Sequence, residues 1–237
     1  MPEKLIPHHP PEKDQSFYSD LEGRYEIEVN RFVPGYKDKI VPMVTMEVGR
    51  KSHKGVVLDI GSGVGNIDEI IIDKFAPKSV DLVEISESMI KESKKRLKDK
   101  NCTLRFHKMS AVDFETEPSS YDSVLSNLVI HNLSYDDKVR LINKIYSWLQ
   151  EDGIFVWADL VRFSDPAVFE KCLEERKKIA ISMGATEDFA AENFRKEREE
   201  DCMITVEQMA AILKQAGFQN IEIIWTKYNE VIIRATK

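Results

Sequence analysis

The chain has 237 residues, 42% hydrophobic and 32% charged, which is ordinary for a soluble globular protein with one sizeable core. A net charge of −7 argues against a large nucleic-acid surface, because phosphate binding needs a concentrated positive field. No apolar run approaches the ~18–20 residues that span a bilayer, and the N-terminus lacks an apolar signal core, so a cytoplasmic protein without membrane attachment is expected.

Met1 to Pro11 reads as a loose, proline-rich arm, in which His8 and His9 resemble a metal motif only superficially. Residues from about 14 to 50 read as helical cover. A polar helix comes first, then Val33-Pro34-Gly35-Tyr36, then a helix carrying Ile40, Met43, Val44, Met46 and Val48. Pro42 suits only the first turn of that helix.

Next comes Val57-Leu58-Asp59-Ile60-Gly61-Ser62-Gly63-Val64-Gly65-Asn66. An apolar strand ends in a glycine turn, and Ile67, Ile70 and Ile71 begin a helical pattern. Val80-Asp81-Leu82-Val83-Glu84 is a second strand ending in a carboxylate. Strand, glycine turn, helix, strand and acid make a nucleotide-type βαβ unit. A dinucleotide fingerprint wants glycine where Asn66 stands. G-x-G-x-G preceded by Asp59 fits S-adenosyl-L-methionine better: with no phosphate to cradle, the turn need only admit the methionine half. Asp59 can organise the turn and face the amino group, and Glu84 can accept hydrogen bonds from both ribose hydroxyls. A tight turn with no ligand is the alternative for the glycines alone.

The basic run Lys91 to Lys100 lies on a helix with Met89, Ile90 and Leu97 as its apolar positions, and reads as a solvated face. Thr103 to His107 and Asp122 to Asn127 are the third and fourth strands. Ser134 starts a helix with Asp137 as its capping-box partner. Gly153 ends that connection, and Ile154 to Asp159 is the fifth strand. Residues 160–203 interrupt the alternation as a charged helical insert, with Pro166 near a helix start. Thr205 and Gln208 cap the next helix, which Gly217 stops. Ile221 to Trp225 and Val231 to Ala235 close as an antiparallel hairpin. The expectation is an α/β, Rossmann-like fold. Its seven-stranded, mostly parallel sheet has a reversed last strand and helices on both faces. One domain spans 1–237, with 1–50 as arm and cover and 160–203 as a lid. Cys102, Cys172 and Cys202 are odd in number and widely spaced, so neither a disulfide framework nor a metal site is expected.

Leu58 to Gly65, Glu84, Leu125-Ser126-Asn127-Leu128-Val129-Ile130-His131 and Leu149 to Ile154 together resemble the class I S-adenosylmethionine-dependent methyltransferases. Arg31 to Tyr36, Lys144 to Leu149 and the ending from Ala216 are similar to carboxy-S-adenosylmethionine synthase and its methyltransferase relatives. That resemblance places cofactor contacts on Tyr36, Gly61, Ser62, Gly63, Glu84, Ile85, Ser110, Ala111 and Asn127. Asp59, Gly65, Met89 and Leu128 complete the expected pocket. Ser110 stands where the family usually has Asp, so recognition of the adenine amino group passes to backbone or to another side chain. The synthase's carboxylate-binding arginine falls here on Lys196, with Arg195 and Arg198 beside it. Gly63 and Gly65 together are closer to ordinary methyltransferases, which favours methyl transfer to a small molecule. The alternatives are carboxy-S-adenosylmethionine synthesis, a step toward tRNA wobble-uridine modification with prephenate as carboxyl source, and cofactor binding without chemistry.

No catalytic residue is fixed by the pattern. His131 is the candidate general base, because it follows the strand end carrying Asn127; shaping the pocket is its other reading. Tyr25, His131, Arg195 and Arg198 are the candidate acceptor residues. For the arginines the alternative is a solvated helix face with Glu197 and Glu199, and for Tyr25 plain packing. A small-molecule acceptor is the expected partner, direct nucleic-acid binding is not expected, and homodimerisation stays open.

Overall fold

The computed structural model describes residues 23–237, so the proline-rich arm with His8 and His9, and the start of the polar helix, lie outside the described residues. Strands β1 (Val56–Ile60), β2 (Ser79–Glu84) and β4 (Tyr121–Asn127) are nearly wholly buried, as apolar runs covered on both faces require. With β3 (Thr103–Lys108), β5 (Leu149–Leu160), β6 (Gln219–Lys227) and β7 (Glu230–Thr236) they form a sheet ordered β3-β2-β1-β4-β5-β7-β6. The first five strands pair in parallel, and β7 runs antiparallel to both its neighbours. This is the expected Rossmann-like methyltransferase fold with its reversed last strand.

The polar helix is α1 (Tyr25–Phe32). A short π-turn over Tyr36–Ile40 follows Gly35, whose φ of 114° is open to glycine. Helix α2 (Val41–Ser52) then starts with Pro42 at its first positions, where the missing N–H costs nothing. Helices α3 (Asn66–Phe75), α4 (Glu87–Leu97), α5 (Tyr135–Trp148) and α8 (Val206–Ala216) cover the sheet. Val44, Val48, Ile71 and Leu125 fill one face; Ile145, Trp148, Phe155 and Leu213 fill the other.

Two local details differ from the pattern reading. Thr205 and Gln208 form the full reciprocal cap, at 3.2 and 2.9 Å. At Ser134 only half of it forms. The Ser134 Oγ accepts from the Asp137 amide at 3.1 Å, but the shorter Asp137 carboxylate takes the Ser134 hydroxyl at 2.7 Å instead of reaching back to the cap amide. Strand β5 begins at Leu149, opposite Tyr121, rather than after Gly153; Asp152 bends the chain inside it with φ of 60°.

The insert is helical as expected, with α6 (Pro166–Ser182) and α7 (Glu187–Glu199). Phe169, Leu173, Ala180, Ala190 and Phe194 bury their apolar stripes against Phe32 of α1 and Met203. The insert and the N-terminal cover are therefore packed as one layer.

Candidate active site

The site is built where β1, β2 and β4 end, at the edge where open α/β sheets bind ligands. Gly61 and Ser62 donate their amides to Val83 O at 2.8 and 3.2 Å, which folds the turn back on β2. Gly61, Gly63 and Gly65 all have positive φ, at 74°, 53° and 73°. Their tasks differ. A Cβ on Gly61 would lie 2.1 Å from the Val129 side chain, so this glycine makes room for Val129 against the turn. A Cβ on Gly65 would meet Ser93 Oγ at 2.5 Å, so it seats the turn on α4. At Gly63 the nearest atom would be the Met89 sulfur at 3.7 Å, and this glycine opens onto a cavity.

That cavity measures about 260 Å³. Its wall includes Gly61, Gly63, Glu84, Ile85, Met89, Ser110, Ala111, Asn127 and Leu128, together with Tyr25 of α1. Glu84 is buried and holds the turn: its carboxylate accepts from the amides of Gly63 at 2.9 Å and Ser86 at 2.8 Å. Burial raises its pKa against these amide bonds. Leu128 follows Asn127 in a left-handed conformation, φ 57°, a strain held by its amide bond to Ala158 O at 2.9 Å.

Tyr36, Asp59, Ser62 and Gly65 do not line the cavity but underlie it. Tyr36 is buried, accepts from Asn66 Nδ2 at 3.1 Å, and is pushed up to about 12, chiefly by burial. Asp59 is buried beside Asp68 of α3, and burial together with that second carboxyl raises its pKa well above the ordinary range. Asp59 Oδ1, Asn127 Oδ1 and both Asp68 oxygens are buried without a hydrogen-bond partner. Unpartnered acceptors gathered under a glycine turn suit a donor-bearing cation. The residues present thus fit a ligand with an ammonium group and a ribose.

The acceptor candidates fall out differently. His131 is buried and off this cavity. Its Nδ1 lies 2.5 Å from Asp159 Oδ1, and its Nε2 lies 3.9 Å from Asp201. Burial opposes its charge, but Asp159 outweighs burial and, with Asp201, pushes the imidazole up to about 9. Such an imidazolium has no lone pair to take a proton at neutral pH, which removes the basis for its expected role as a base. Arg195 and Arg198 lie on α7 away from the cavity, the first paired with Glu192, Glu199 and Glu200, the second with Glu170. Neighbouring glutamates satisfy both guanidiniums. No described residue of 160–203 is on the cavity wall.

The pattern reading passed over Met109, Asp113, Val129, Asn132, Asp137 and Arg140, which also line the wall. Their signal is position: they sit just past β3 and β4 and in the first turns of α5. It also passed over Asp159. Its carboxylate accepts from the amides of His131 and Leu160, at 3.0 and 2.9 Å, and from Trp157 Nε1 at 2.9 Å.

Residues 57–153 match the family model described as a methyltransferase domain. The chain is 25% identical to carboxy-S-adenosyl-L-methionine synthase of a Nitratiruptor species, over 95% of this chain and 98% of that protein. Among solved structures, it resembles 1,6-didemethyltoxoflavin-N1-methyltransferase of Burkholderia thailandensis, with S-adenosylhomocysteine bound there. The TM-score is 0.63 at 16% identity, over 98% of this chain and 92% of that one. A [4+2]-cyclase, SpnF, is similar too, with TM-score 0.62 and 12% identity over 84% and 80% of the two chains, so the fold alone does not fix the reaction. The sheet order and the glycine turn are those of the Rossmann-like methyltransferase fold, and the segment from 57 to 153 matches a methyltransferase domain.

Proposed function

We propose that this chain transfers the methyl group of S-adenosylmethionine to a small-molecule acceptor. The observation that carries the reading is the cavity at the ends of β1, β2 and β4, walled by Gly61, Gly63, Glu84 and Asn127. The cofactor supplies a sulfonium methyl that is already activated. The chain has to hold it, aim an acceptor lone pair at it and exclude water, and orientation can supply much of the acceleration. Gly63 leaves room for the methionine half. Glu84 is placed for the ribose hydroxyls, and Asn127 Oδ1 and Asp59 for the amino group. Ser110 and Ala111 border the place for the base, and Asp113 beside them supplies the carboxylate that Ser110 lacks. A general base is optional and depends on the acceptor. Tyr25 and Arg140 face the same space and are the acceptor-side groups; Arg140 is held by Asp137, which an anionic acceptor would displace.

Carboxy-S-adenosylmethionine synthesis is the second reading, favoured by the near full-length likeness to the Nitratiruptor synthase. It needs a cation for the added carboxylate. Arg140 is on the cavity wall, whereas Arg195 and Arg198 are taken up by glutamates away from it.

The test is calorimetry with S-adenosylhomocysteine, backed by mass spectrometry of the nucleoside that copurifies. Micromolar or tighter binding and a copurified S-adenosylhomocysteine are expected. A carboxylated sulfonium would move the reading to the synthase, and tighter binding of NAD would overturn both.

A further inference from the structure

Beneath the glycine turn lie two carboxyl groups that no simple ion pairing explains. Asp59 is the last residue but one of β1, and its register partner is Leu125 on β4, so Asp59 shares a sheet face with Leu125 and Asn127. Asp68 stands in the first turn of α3, on the buried stripe of Ile71 and Ile72. Asp68 is 0% exposed and Asp59 3%. The two carboxyls are close enough to hydrogen-bond once one of them carries a proton, and neither has a donor to offer the other while both are ionised. Among the described residues no other side chain donates to either Asp68 oxygen or to Asp59 Oδ1.

The groups that face the pair offer no compensating charge. Glu84 at the end of β2 is a third acid toward Asp59. Tyr36 of the π-turn faces Asp59, and Cys102 before β3 faces Asp68; burial raises the pKa of each and keeps it neutral. Among the described residues no lysine or arginine pairs with either aspartate. The favourable influences are the backbone amide of Asp68 itself and the N-terminus of α3, which stabilises negative charge in its first turn. Two buried carboxylates in contact, without a cation, cannot both ionise.

A second feature points to what the arrangement awaits. Asn127 is 8% exposed, lines the cavity and leaves its Oδ1 without a donor. An unpaired acceptor faces the place of the cofactor's amino group, and an unpaired acid lies behind it.

We propose that Asp59 and Asp68 share one proton in the ligand-free protein, and that docking of the ligand's ammonium group expels it. The O–H bond between the pair breaks, the proton passes to solvent, and the ammonium becomes the counter-ion of the resulting dianion. Asn127 meets the ligand; Asp59, under the wall, acts on the ammonium by its charge, and Asp68 is a positioning residue that acts through Asp59. The inference rests on the cofactor reading above. It makes affinity for the amino-acid end of the ligand rise with pH across the range in which the pair titrates. Burial places Asp68 at about 7.

The probe is S-adenosylhomocysteine at pH 6.5, where an α-amino group titrating near 7.7–8.0 still carries its proton. Its binding heat is measured in several buffers of different ionisation enthalpy. The wild-type protein is expected to release roughly half to three-quarters of a proton per ligand bound, and to bind about six- to twenty-five-fold tighter at pH 7.5 than at pH 5.5. Asp68→Asn, which can still hydrogen-bond to Asp59, should keep binding and lose most of the buffer dependence and the pH slope. Binding by wild type without proton release overturns the inference and leaves the cofactor reading intact; so does a release that persists in Asp68→Asn. If wild type does not bind S-adenosylhomocysteine at all, the cofactor reading fails and the expulsion fails with it. Should Asp68→Asn not fold, infrared difference spectra of the wild type decide. A protonated-carboxyl stretch must vanish on adding ligand, and its absence from the ligand-free protein overturns the shared proton.

Discussion

Glu84 concentrates two tasks in one side chain. Its carboxylate takes the Gly63 and Ser86 amides and faces the cavity, so Glu84→Ala removes both the clasp on the turn and the proposed ribose acceptor. The expected loss is about 1.5–3 kcal/mol of S-adenosylhomocysteine binding by calorimetry; unchanged affinity would mean that the ribose lies elsewhere. His131 is the contrasting case. Lys138 Nζ donates to its carbonyl at 3.3 Å and to Cys202 O at 2.7 Å, so the cluster of His131, Asp159 and Lys138 fastens the chain leaving the insert to the start of α5. His131→Ala should cost about 1–3 kcal/mol in urea unfolding, because Asp159 keeps its other three donors. Affinity for S-adenosylhomocysteine should shift less than threefold. A large loss of affinity with stability unchanged would return His131 to the ligand's side. The glycines and Glu84 were legible because a turn and a strand end punctuate the sequence. Asp68 and Asp159 were not, because an acid in a first helical turn or at a strand end reads as solvated. The available signal was periodicity: Asp68 shares the stripe of Ile71 and Ile72.

The same lesson holds for elements. The seven strands, the insert and the Thr205 cap follow from apolar runs, a broken alternation and a reciprocal pair of side chains. What fastens the insert does not. Arg176 of α6 is fully buried, paired with Glu197 of α7, and donates to Asn229 Oδ1 at 2.7 Å and Phe32 O at 2.6 Å. One guanidinium thus joins α1, α6, α7 and the turn before β7. Its neighbour Glu230 is buried with neither oxygen bonded, and burial pushes it up to about 8 against the pull of Arg176. In sequence Arg176 is one more charge in a charged helix. Only its place on the stripe with Leu173 and Ala180 marks it. Arg176→Met leaves Glu197 buried without its cation, and should cost about 3–5 kcal/mol. The loss should appear first as protease sensitivity within residues 160–203. An unaltered digestion pattern together with unaltered stability would show that the insert is held by Phe169, Leu173 and Phe194 alone.

Over the whole molecule these buried acids set a direction for stability against pH. Asp59, Asp68, Glu84 and Glu230 all have pKa values raised mainly by burial, with Asp68 at about 7 and Glu230 at about 8. A group raised in the fold contributes stability that is complete below its unfolded value, near 4, and fades as pH climbs through its folded value. His131, at about 9, extends the same loss upward from about 6.5. Lys138, depressed by burial to about 8, acts oppositely, because the unfolded chain holds its proton more tightly between about 8 and 10.5. On the acid side, hydrogen bonds from Arg105 and His107 overcome burial and hold Asp81 below its ordinary value, a contribution lost as pH falls below about 4. The four raised acids outnumber the opposing lysine, and the net charge of −7 adds self-repulsion in the same sense as pH rises. Stability should therefore be greatest near pH 5 and fall by roughly 2–4 kcal/mol on reaching pH 8.5, in urea unfolding with a constant m-value. Glu230→Gln removes one of the four, and should flatten the part of the fall between pH 6 and 8.5 while leaving stability at pH 5 nearly unchanged. A wild-type curve that stays level or rises from pH 5 to 8 would mean that solvent or unseen partners reach these carboxyls, and that the proton beneath the glycine turn is not there to be expelled.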